Sequence, residues 1–387
     1  MTKNTVSDSL KSIKKLENKK VKLLDEVVLL FSNRSKVNFT NQFINVLELG
    51  VYNKKLDKVS FKIQKFNNDE ELKSIISNHN KEGQIFIGPI DTDSSKLAKK
   101  FCNNEILFFS FSSDTSIAGE CMFLINFFPK NELEELFSFL DKQSKVALLY
   151  PENEYGYMIN FIIDDVVNKS DSIIVNRSSY KKDLSNVRDA IKELGKYELR
   201  KYELDRQKKI LYSKKDNLSK KRLKKLEKFK TTSDYDFTHI LIADYGLNLL
   251  KVAPLLPYYD IDPDIVQFLG TGVIDDENFF LEPSLQGTLF PGIERSKRFK
   301  LLNQYERIFD DNFLRVSTLP YDLVGLLDFI FSTNLQYDEM LGLLNNQTTK
   351  FDGVDGQFYF KDNMIQRNLD ILKIENGKAV RINQIKN

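Results

Sequence analysis

The sequence lacks tryptophan and carries only two cysteines and two histidines in 387 residues. Cys102 and Cys121 are too few for a disulfide-rich scaffold or for a structural zinc site. They could form one disulfide bond, but two buried, unpaired cysteines acting as small hydrophobic residues are the favoured interpretation. The sequence therefore predicts no metal site.

Long hydrophobic runs are also missing. No stretch of 18 apolar residues occurs, so the sequence predicts no transmembrane segment. The first twenty residues, MTKNTVSDSLKSIKKLENKK, contain no apolar region of the kind that signal peptides have. We expect residues 1–24 to form a polar extension with little core of its own.

Familiar catalytic motifs are absent as well, because there is no HExxH, no GxSxG and no Walker phosphate loop. Gly270, Thr271 and Gly272 lack the third glycine of the dinucleotide fingerprint. His79 is expected to be solvated at the end of a polar helix. His239 opens a buried strand, where a structural role is commoner. We therefore predict no catalytic residue and no cofactor.

Acidic residues leave one enzymatic alternative open. Asp244, Asp275 and Asp276 fall at the ends of predicted strands, where a carboxylate pair for hydrolysis could form. Helix caps and turns explain these residues more simply. An enzyme is the least favoured of the function classes.

What the chain does contain is phenylalanine, 30 residues of it, which must supply much of the core. The length predicts two domains, each able to bury its own core. The net charge of +2 is unevenly distributed. Residues 181–230 hold 19 Lys and Arg against 8 Asp and Glu, so this segment carries +11 and the remainder −9. One charged appendage on an acidic body is expected.

Apolar runs and helical periodicities alternate along the chain, which predicts an α/β protein with parallel sheets. The predicted strands of the first lobe are 26–31, 59–63, 84–90 and 106–111. Those of the second lobe are 145–150, 173–175, 239–243, 266–269 and 287–290. We expect 25–127 with 293–365 to form lobe 1, and 128–292 with 366–387 to form lobe 2. After Pro291, helices at 295–309 and 320–332 precede a strand and a closing hairpin.

The basic segment interrupts one strand–helix unit of the second lobe. Apolar residues at steps of three and four predict a helix from Leu184 that continues to Leu211. A turn at 213–217 and a shorter second helix follow. We therefore predict a basic helical hairpin at 184–230, either a solvated helix pair or an interaction arm. Nucleic-acid binding is the weaker option, because no known nucleic-acid module surrounds it.

Two adjacent tyrosines stand in the segment 251–276. Pro257 precedes Tyr258 and Tyr259 and disfavours helix before it, which predicts an extended or turn conformation here. Adjacent side chains of an extended chain point to opposite sides. We expect one ring to be buried beneath the strand 266–269 and the other to face solvent, ligand or partner.

Polar side chains follow the predicted strands and could line a ligand-binding cleft. In a doubly wound fold, ligands bind outside the carboxyl ends of the strands. Hydroxyls and tyrosine rings there can form a small-molecule site without catalysis, although each residue singly fits an ordinary turn. The candidate site residues are Ser32, Ser110, Ser112, Ser113, Tyr155, Asp244, Tyr245 and Thr271.

Several strings of the sequence are similar to a known family. They are IFIGPI at 85–90, ILFFSFSSDTSIAG at 106–119, ALLYPENEYG at 147–156, HILIADYG at 239–246, APLLPYYDIDP at 253–263, LGTG at 269–272 and FDGVDGQFYF at 351–360. The order of elements resembles the type 1 periplasmic-binding-protein fold of branched-chain amino-acid receptors. Within that superfamily, the strings and the charged insertion resemble the penicillin-binding-protein activator lipoproteins.

That resemblance implies two Rossmann-like lobes with a helical-hairpin insertion. It implies a non-catalytic regulator of a peptidoglycan synthase, in the periplasm or associated with the outer membrane. Members of the activator family begin with a signal and a lipidated cysteine, whereas the first cysteine here is Cys102. The alternative is a receptor for amino acids or similar small molecules that serves an ABC transporter. The ligand-facing positions of such receptors fall on Ser110, Ser112, Ser113 and Tyr155.

Overall fold

The computed structural model describes residues 21–382 except 35, 36, 104, 215, 312, 314 and 334. The predicted extension at 1–24 therefore lies almost entirely outside the described residues. The chain divides into two compact units, which are 1–127 with 300–367, and 128–299 with 368–387. No helix in the described part is long and apolar enough to cross a membrane.

The first passage of the chain through unit 1 alternates strands and helices. Its elements are β1 (Glu26–Ser32), α1 (Val37–Lys54), β2 (Ser60–Phe66), α2 (Asp69–His79), β3 (Gln84–Ile87), α3 (Thr92–Lys99), β4 (Ile106–Ser110) and β5 (Met122–Leu124). Side chains at the helix starts fix the boundaries of α2 and α3. Asn68 and Asp91 each accept a hydrogen bond from the backbone N–H three residues on, which satisfies a donor that the first helical turn leaves unpaired.

The chain then passes through unit 2. Its elements are α4 (Pro129–Phe139), β6 (Lys145–Pro151), α5 (Glu154–Ser170), β7 (Ile173–Tyr180), α6 (Val187–Leu194), α7 (Tyr197–Lys214), α8 (Asn217–Leu226), β8 (His239–Ile242), α9 (Gly246–Val252), α10 (Leu255–Tyr258), β9 (Gln267–Gly270), α11 (Glu277–Phe280) and β10 (Leu289–Gly292).

The remaining segments complete both units. They are α12 (Phe299–Phe309), α13 (Thr318–Thr333), α14 (Tyr337–Leu344), β11 (Phe351–Gly353), β12 (Gly356–Lys361), β13 (Met364–Arg367), β14 (Asp370–Glu375) and β15 (Lys378–Ile382). The sequence did not predict α14.

Each unit contains one mixed sheet in the described residues. Unit 1 has the strand order β11-β12-β13-β5-β4-β3-β1-β2, and unit 2 has the order β15-β14-β10-β9-β8-β6-β7. The strands from β2 to β13 in the first sheet and from β7 to β10 in the second pair in parallel, and the outer strands pair antiparallel. The predicted α/β class with parallel sheets is confirmed.

The sheet of unit 2 is covered on both faces. Ala147 and Leu149 of β6 pack into one core cluster, and Val146 and Leu148 pack into the other. Successive side chains of a strand point to opposite faces, so this alternation places core on each side. Strands buried on both faces read as continuous apolar runs, which is why KVALLY and HILIA were recognisable in the sequence.

The helix predicted from Leu184 to Leu211 is interrupted, so that prediction is wrong. It divides into α6 and α7 at Gly195 and Lys196, and Lys196 has a φ of 47°. The α6 helix belongs to the core of unit 2, where Val187, Ala190, Ile191 and Leu194 are buried. The basic hairpin itself consists of α7 and α8.

Arg200 anchors the hairpin to the rest of unit 2, a contact that the sequence prediction of a solvated helix pair or an interaction arm did not include. Its guanidinium is buried and donates hydrogen bonds to the carbonyl oxygens of Gly195, Thr232, Tyr259 and Asp260 and to the Thr231 hydroxyl. The guanidinium also lies 4.4 Å from the centre of the Tyr235 ring.

The favoured interpretation of the cysteines is wrong, because Cys102 and Cys121 form a disulfide bond. The bond joins the loop after α3 to the residue that precedes β5. Neither cysteine of the chain is free.

Candidate functional site

Hydroxyl side chains gather at the carboxyl end of the unit 1 sheet. Ser110 is the last residue of β4 and is fully buried. Its Oγ lies 2.8 Å from Ser95 Oγ and donates to the carbonyl oxygen of Pro89 at 3.0 Å. Ser112 is buried beside it, and its Oγ lies 3.1 Å from Thr92 Oγ1. The structure thus joins two of the candidate serines to Thr92 and Ser95, which sequence reasoning missed.

The turn that carries Ser112 is held by further hydrogen bonds. Ser112 Oγ accepts from the Asp114 backbone N–H at 3.1 Å. Asp114 in turn forms an ion pair of 2.8 Å with Lys96 of α3. Hydrogen bonding to Lys96 and Ser116 lowers the pKa of Asp114 to about 2. Ser113, between them, is exposed.

Ser32 belongs to a different turn at the same end of the sheet. It ends β1, and its Oγ accepts from the backbone N–H of Arg34 at 3.2 Å. The Arg34 side chain donates to the Asn67 carbonyl at 2.6 Å, which ties the turns after β1 and β2 together. Within the described residues, no hydrogen bond joins Ser32 to Ser110 or Ser112.

In unit 2, three candidate residues from three loops meet. Tyr155 stands in the first turn of α5, Tyr245 precedes α9, and Thr271 follows β9. The Tyr155 and Thr271 hydroxyl oxygens lie 2.5 Å apart, and the Tyr155 and Tyr245 rings are 5.2 Å apart at 85°. Because β6, β8 and β9 are neighbours, their carboxyl ends bring these loops together.

Asp244, the remaining candidate, is occupied by internal hydrogen bonds. Tyr180 donates its phenolic hydroxyl to Asp244 Oδ2 at 2.5 Å, and the backbone N–H of Tyr245 donates to Oδ1 at 2.8 Å. Burial raises the pKa of Asp244, and these hydrogen bonds oppose that rise. Burial beside this carboxylate also raises the pKa of Tyr180.

In the turn after β9, Gly272 leaves room for a buried glutamate. A Cβ atom at Gly272 would lie 2.3 Å from Glu132 Oε1, so any other residue would displace this carboxylate. Glu132 is a buried residue of α4, and its Oε2 accepts from the Gly272 backbone N–H at 3.2 Å. Sequence reasoning noted the GTG turn and missed this carboxylate, because nothing in a helix pattern marks one polar residue as buried.

Tyr258 and Tyr259 differ sharply in burial. The Tyr258 side chain is 58% exposed, whereas Tyr259 is 8% exposed and belongs to the core cluster that contains Val266 and Phe268. The predicted asymmetry is confirmed. Its stated reason is wrong, because Pro257 lies inside the short helix α10 rather than in an extended segment.

Two cations flank the exposed ring. The Arg188 guanidinium lies 5.9 Å and the Lys230 ammonium 5.6 Å from the centre of the Tyr258 ring. The Tyr259 ring packs edge-on beneath it, with 4.9 Å between ring centres. We call Arg188, Lys230 and Tyr258 the Tyr258 surface.

The two histidines lie outside the groups described above. No group of three His, Cys, Asp or Glu among the described residues could hold a metal ion. His239 opens β8, its Nδ1 lies 2.8 Å from Thr238 Oγ1, and burial lowers its pKa. His79 is half-buried with its Nδ1 3.6 Å from a Glu26 carboxylate oxygen, so the expectation that it is solvated is wrong.

Comparison with protein-family models finds no match, and neither does comparison with curated proteins. Solved structures do match over most of the chain. One assigned to branched-chain amino-acid ABC transport in Rhodospirillum rubrum is 11% identical with a TM-score of 0.67, covering 93% of this chain and 100% of its own. The chain has the type 1 periplasmic-binding-protein fold.

Two further solved structures with this fold come from proteins with different functions. LivJ of Streptococcus pneumoniae, a branched-chain amino-acid substrate-binding protein in complex with isoleucine, is 13% identical with a TM-score of 0.57, covering 92% of this chain and 99% of its own. The C-domain of LpoA from Haemophilus influenzae, a regulator of PBP1A, is 11% identical with a TM-score of 0.59, covering 92% and 100%. The predicted resemblance to both groups is confirmed at the level of the fold.

Proposed function

We propose that this protein is a non-catalytic envelope protein that regulates a peptidoglycan-synthesising penicillin-binding protein through direct contact. The observation that carries the proposal is the Tyr258 surface. Tyrosine and arginine are among the residue types that most often dominate binding energy at protein interfaces. Here the Tyr258 ring is held in place by Tyr259 below it and by Arg188 and Lys230 beside it.

Three further observations support a role in protein contact. Tyr258 belongs to the segment 253–263, one of the strings on which the likeness to activator lipoproteins rests. The regulator domain of Haemophilus influenzae shares the fold. In addition, the polar side chains at the strand ends of unit 2 are already hydrogen-bonded in pairs, Tyr155 with Thr271 and Tyr180 with Asp244.

A pull-down with the extracytoplasmic part of a penicillin-binding protein tests the proposal. Tyr258→Ala should weaken binding by about tenfold or more, because truncation of a central tyrosine at an interface typically costs over 1–2 kcal/mol. Phe161→Ala is the matched control, since Phe161 is an exposed aromatic residue on α5. Equal binding by both variants and the unaltered protein would contradict the proposed contact surface.

A receptor for amino acids or similar small molecules is the second candidate. It is favoured by the hydroxyl pair of Thr92 and Ser112 beside the capped N-terminus of α3, with exposed Ser113 next to it. LivJ of the same fold holds isoleucine. A thermal-shift screen with amino acids tests this candidate, and Ser112→Ala should abolish any stabilisation found. A stabilising amino acid without binding to a synthase would replace the regulator proposal with the receptor.

A further inference from the structure

The second helix of the hairpin carries an uncompensated positive charge. Residues 217–230 contain one acidic residue, Glu227, and seven cations. The cations are Lys220, Lys221, Arg222, Lys224, Lys225, Lys228 and Lys230, and each is exposed. Among the described residues, none of these seven forms an ion pair. Lysines elsewhere on unit 2 do, as Lys130 with Asp165 and Lys169 with Glu134 show.

The helical periodicity sorts these residues onto faces. Ser219, Leu223 and Leu226 recur at steps of four and three, and they are the less exposed positions of α8, which packs on α7. Lys220, Lys221, Lys224 and Lys225 recur at steps of four on the opposite side. We call these four residues the lysine face. Four like charges on one face repel one another unless an anionic surface neutralises them.

Apolar side chains accompany the lysine face at the tip of the hairpin. Tyr212 and Leu218 stand on either side of the turn between α7 and α8, and they are 76% and 60% exposed. Phe229, which follows the other end of α8 and lies away from the tip, is also exposed. Burial of apolar side chains is favourable, so apolar groups exposed next to lysines fit a partner that is both apolar and anionic.

We propose that the hairpin tip binds an anionic phospholipid surface. Clustered lysines are attracted to the negative potential of such a surface, and their aliphatic stems can lie along apolar atoms while the ammonium groups stay at the headgroups. Tyrosine prefers the same interfacial depth. Leu218 can enter the acyl boundary below.

The composition of the face favours lipid over nucleic acid or an acidic protein. Six of the seven cations are lysine, which acts as a point charge, whereas the planar fork of arginine suits bidentate recognition of phosphate or carboxylate. Leu218 has no role in contact with a nucleic-acid backbone. The buried Arg200 holds the base of the hairpin to the rest of unit 2 by hydrogen bonds.

Vesicle co-sedimentation with the full chain tests the charge. We expect binding to vesicles that contain phosphatidylglycerol, and none to pure phosphatidylcholine. Replacing the lysine face by glutamine (K220Q, K221Q, K224Q, K225Q) should weaken binding by roughly several hundredfold, since each cation near an anionic leaflet contributes on the order of fivefold. The control is K55Q, K58Q, K65Q and K100Q, four exposed lysines of unit 1 without an ion pair among the described residues. Absent binding to phosphatidylglycerol, or equal losses in both variants, overturns the proposal.

The absence of tryptophan permits a sharper test of insertion. L218W introduces a single tryptophan at the tip, and F161W introduces one at an exposed position of α5. Vesicles with brominated acyl chains should quench the tryptophan fluorescence of L218W and shift its emission maximum to the blue. The tryptophan fluorescence of F161W should not change. Unchanged L218W emission in the presence of bound vesicles overturns the proposal. So does tighter binding of the unaltered chain to oligothymidylate or polyglutamate than to the vesicles.

Discussion

The phenolic oxygen of Tyr155 lies 2.5 Å from the hydroxyl oxygen of Thr271, 116 residues further along the chain. The contact joins the first turn of α5 to the loop after β9, so it couples two strand ends of unit 2. Because Thr271 is buried, its hydroxyl has little access to water. The hydrogen bond between Tyr155 and Thr271 should therefore make a measurable contribution to stability.

A double-mutant cycle with Tyr155→Phe and Thr271→Val measures that contact. We expect a coupling free energy of about 1 kcal/mol, the usual net contribution of one hydrogen bond. Urea denaturation of the four proteins gives the value. Strictly additive effects would mean that the two hydroxyls do not stabilise each other.

The two adjacent tyrosines should respond differently to truncation. Tyr259→Ala removes a ring from the core cluster and should lower the free energy of unfolding by about 3–5 kcal/mol. Tyr258→Ala removes a mainly exposed ring and should change it by less than about 0.5 kcal/mol. Chemical denaturation of both variants checks this. A similar large loss in both would show that Tyr258 contributes to the core.

Arg200 should matter more for folding than the rest of the hairpin. Arg200→Ala removes the donor to the carbonyl oxygens of Gly195, Thr232 and Tyr259, which should cost about 3 kcal/mol or more. Deletion of 206–228 with a short Gly-Ser closure keeps Arg200 and should preserve cooperative unfolding, because loop length itself costs only about 0.6 kcal/mol per doubling. Calorimetry of both proteins is the measurement. Arg206→Ala is the control, since Arg206 is exposed and pairs only with Glu203 among the described residues.

The disulfide bond should stabilise unit 1. It closes a loop of 19 residues, for which chain entropy gives about 3 kcal/mol. The double variant Cys102→Ser, Cys121→Ser should therefore unfold at lower urea concentration, and reductant should shift the unaltered protein and leave the variant unchanged. A protein indifferent to reductant would argue that the bond contributes nothing to the free energy of unfolding.

The lowered pKa of Asp114 predicts how the stability of the protein changes with pH in acid. Its pKa in the folded protein is about 2, below the ordinary value of 3.8, because Lys96 and Ser116 hydrogen-bond the carboxylate. The unfolded chain takes up the proton first as the pH falls, so this contribution to stability is present above about pH 4 and is lost towards pH 2. Lys96 is half exposed, which limits the contribution to about 1 kcal/mol or less. Asp114→Asn should thus differ from the unaltered protein at neutral pH and converge with it in acid, as followed by urea denaturation.

Sequence patterns predicted the fold where burial is continuous. The strands KVALLY and HILIA have core on both faces, so their apolar runs identify them without ambiguity. Helix continuity was harder to predict. Residues 184–211 keep a helical composition through Gly195, and the break at Lys196 depends on Ile191, Leu194 and Arg200 docking on unit 2.

The candidate site was predictable only in part, for a similar reason. Strand ends located Ser110, Ser112, Tyr155, Asp244, Tyr245 and Thr271, because loops after adjacent parallel strands meet at one edge. Their partners come from elements with other patterns. Tyr180 ends a half-exposed strand, Glu132 lies within a helix, and Ser95 lies in the first turn of α3. Such partners are set by tertiary packing and leave no periodic signal.

The chain passes between the two units at 127/128, 299/300 and 367/368, and this order constrains biosynthesis. The ribosome releases β5 long before β13, its neighbour in the finished sheet, more than two hundred residues later. Likewise, β10 is synthesised before β14, its neighbour in the sheet of unit 2. Each nascent half-sheet therefore presents an open strand edge of the kind that aggregates, for as long as translation of the intervening segment takes. The basic hairpin at 197–226 lengthens that interval for unit 1, so its removal should speed the completion of a sheet to which it does not belong.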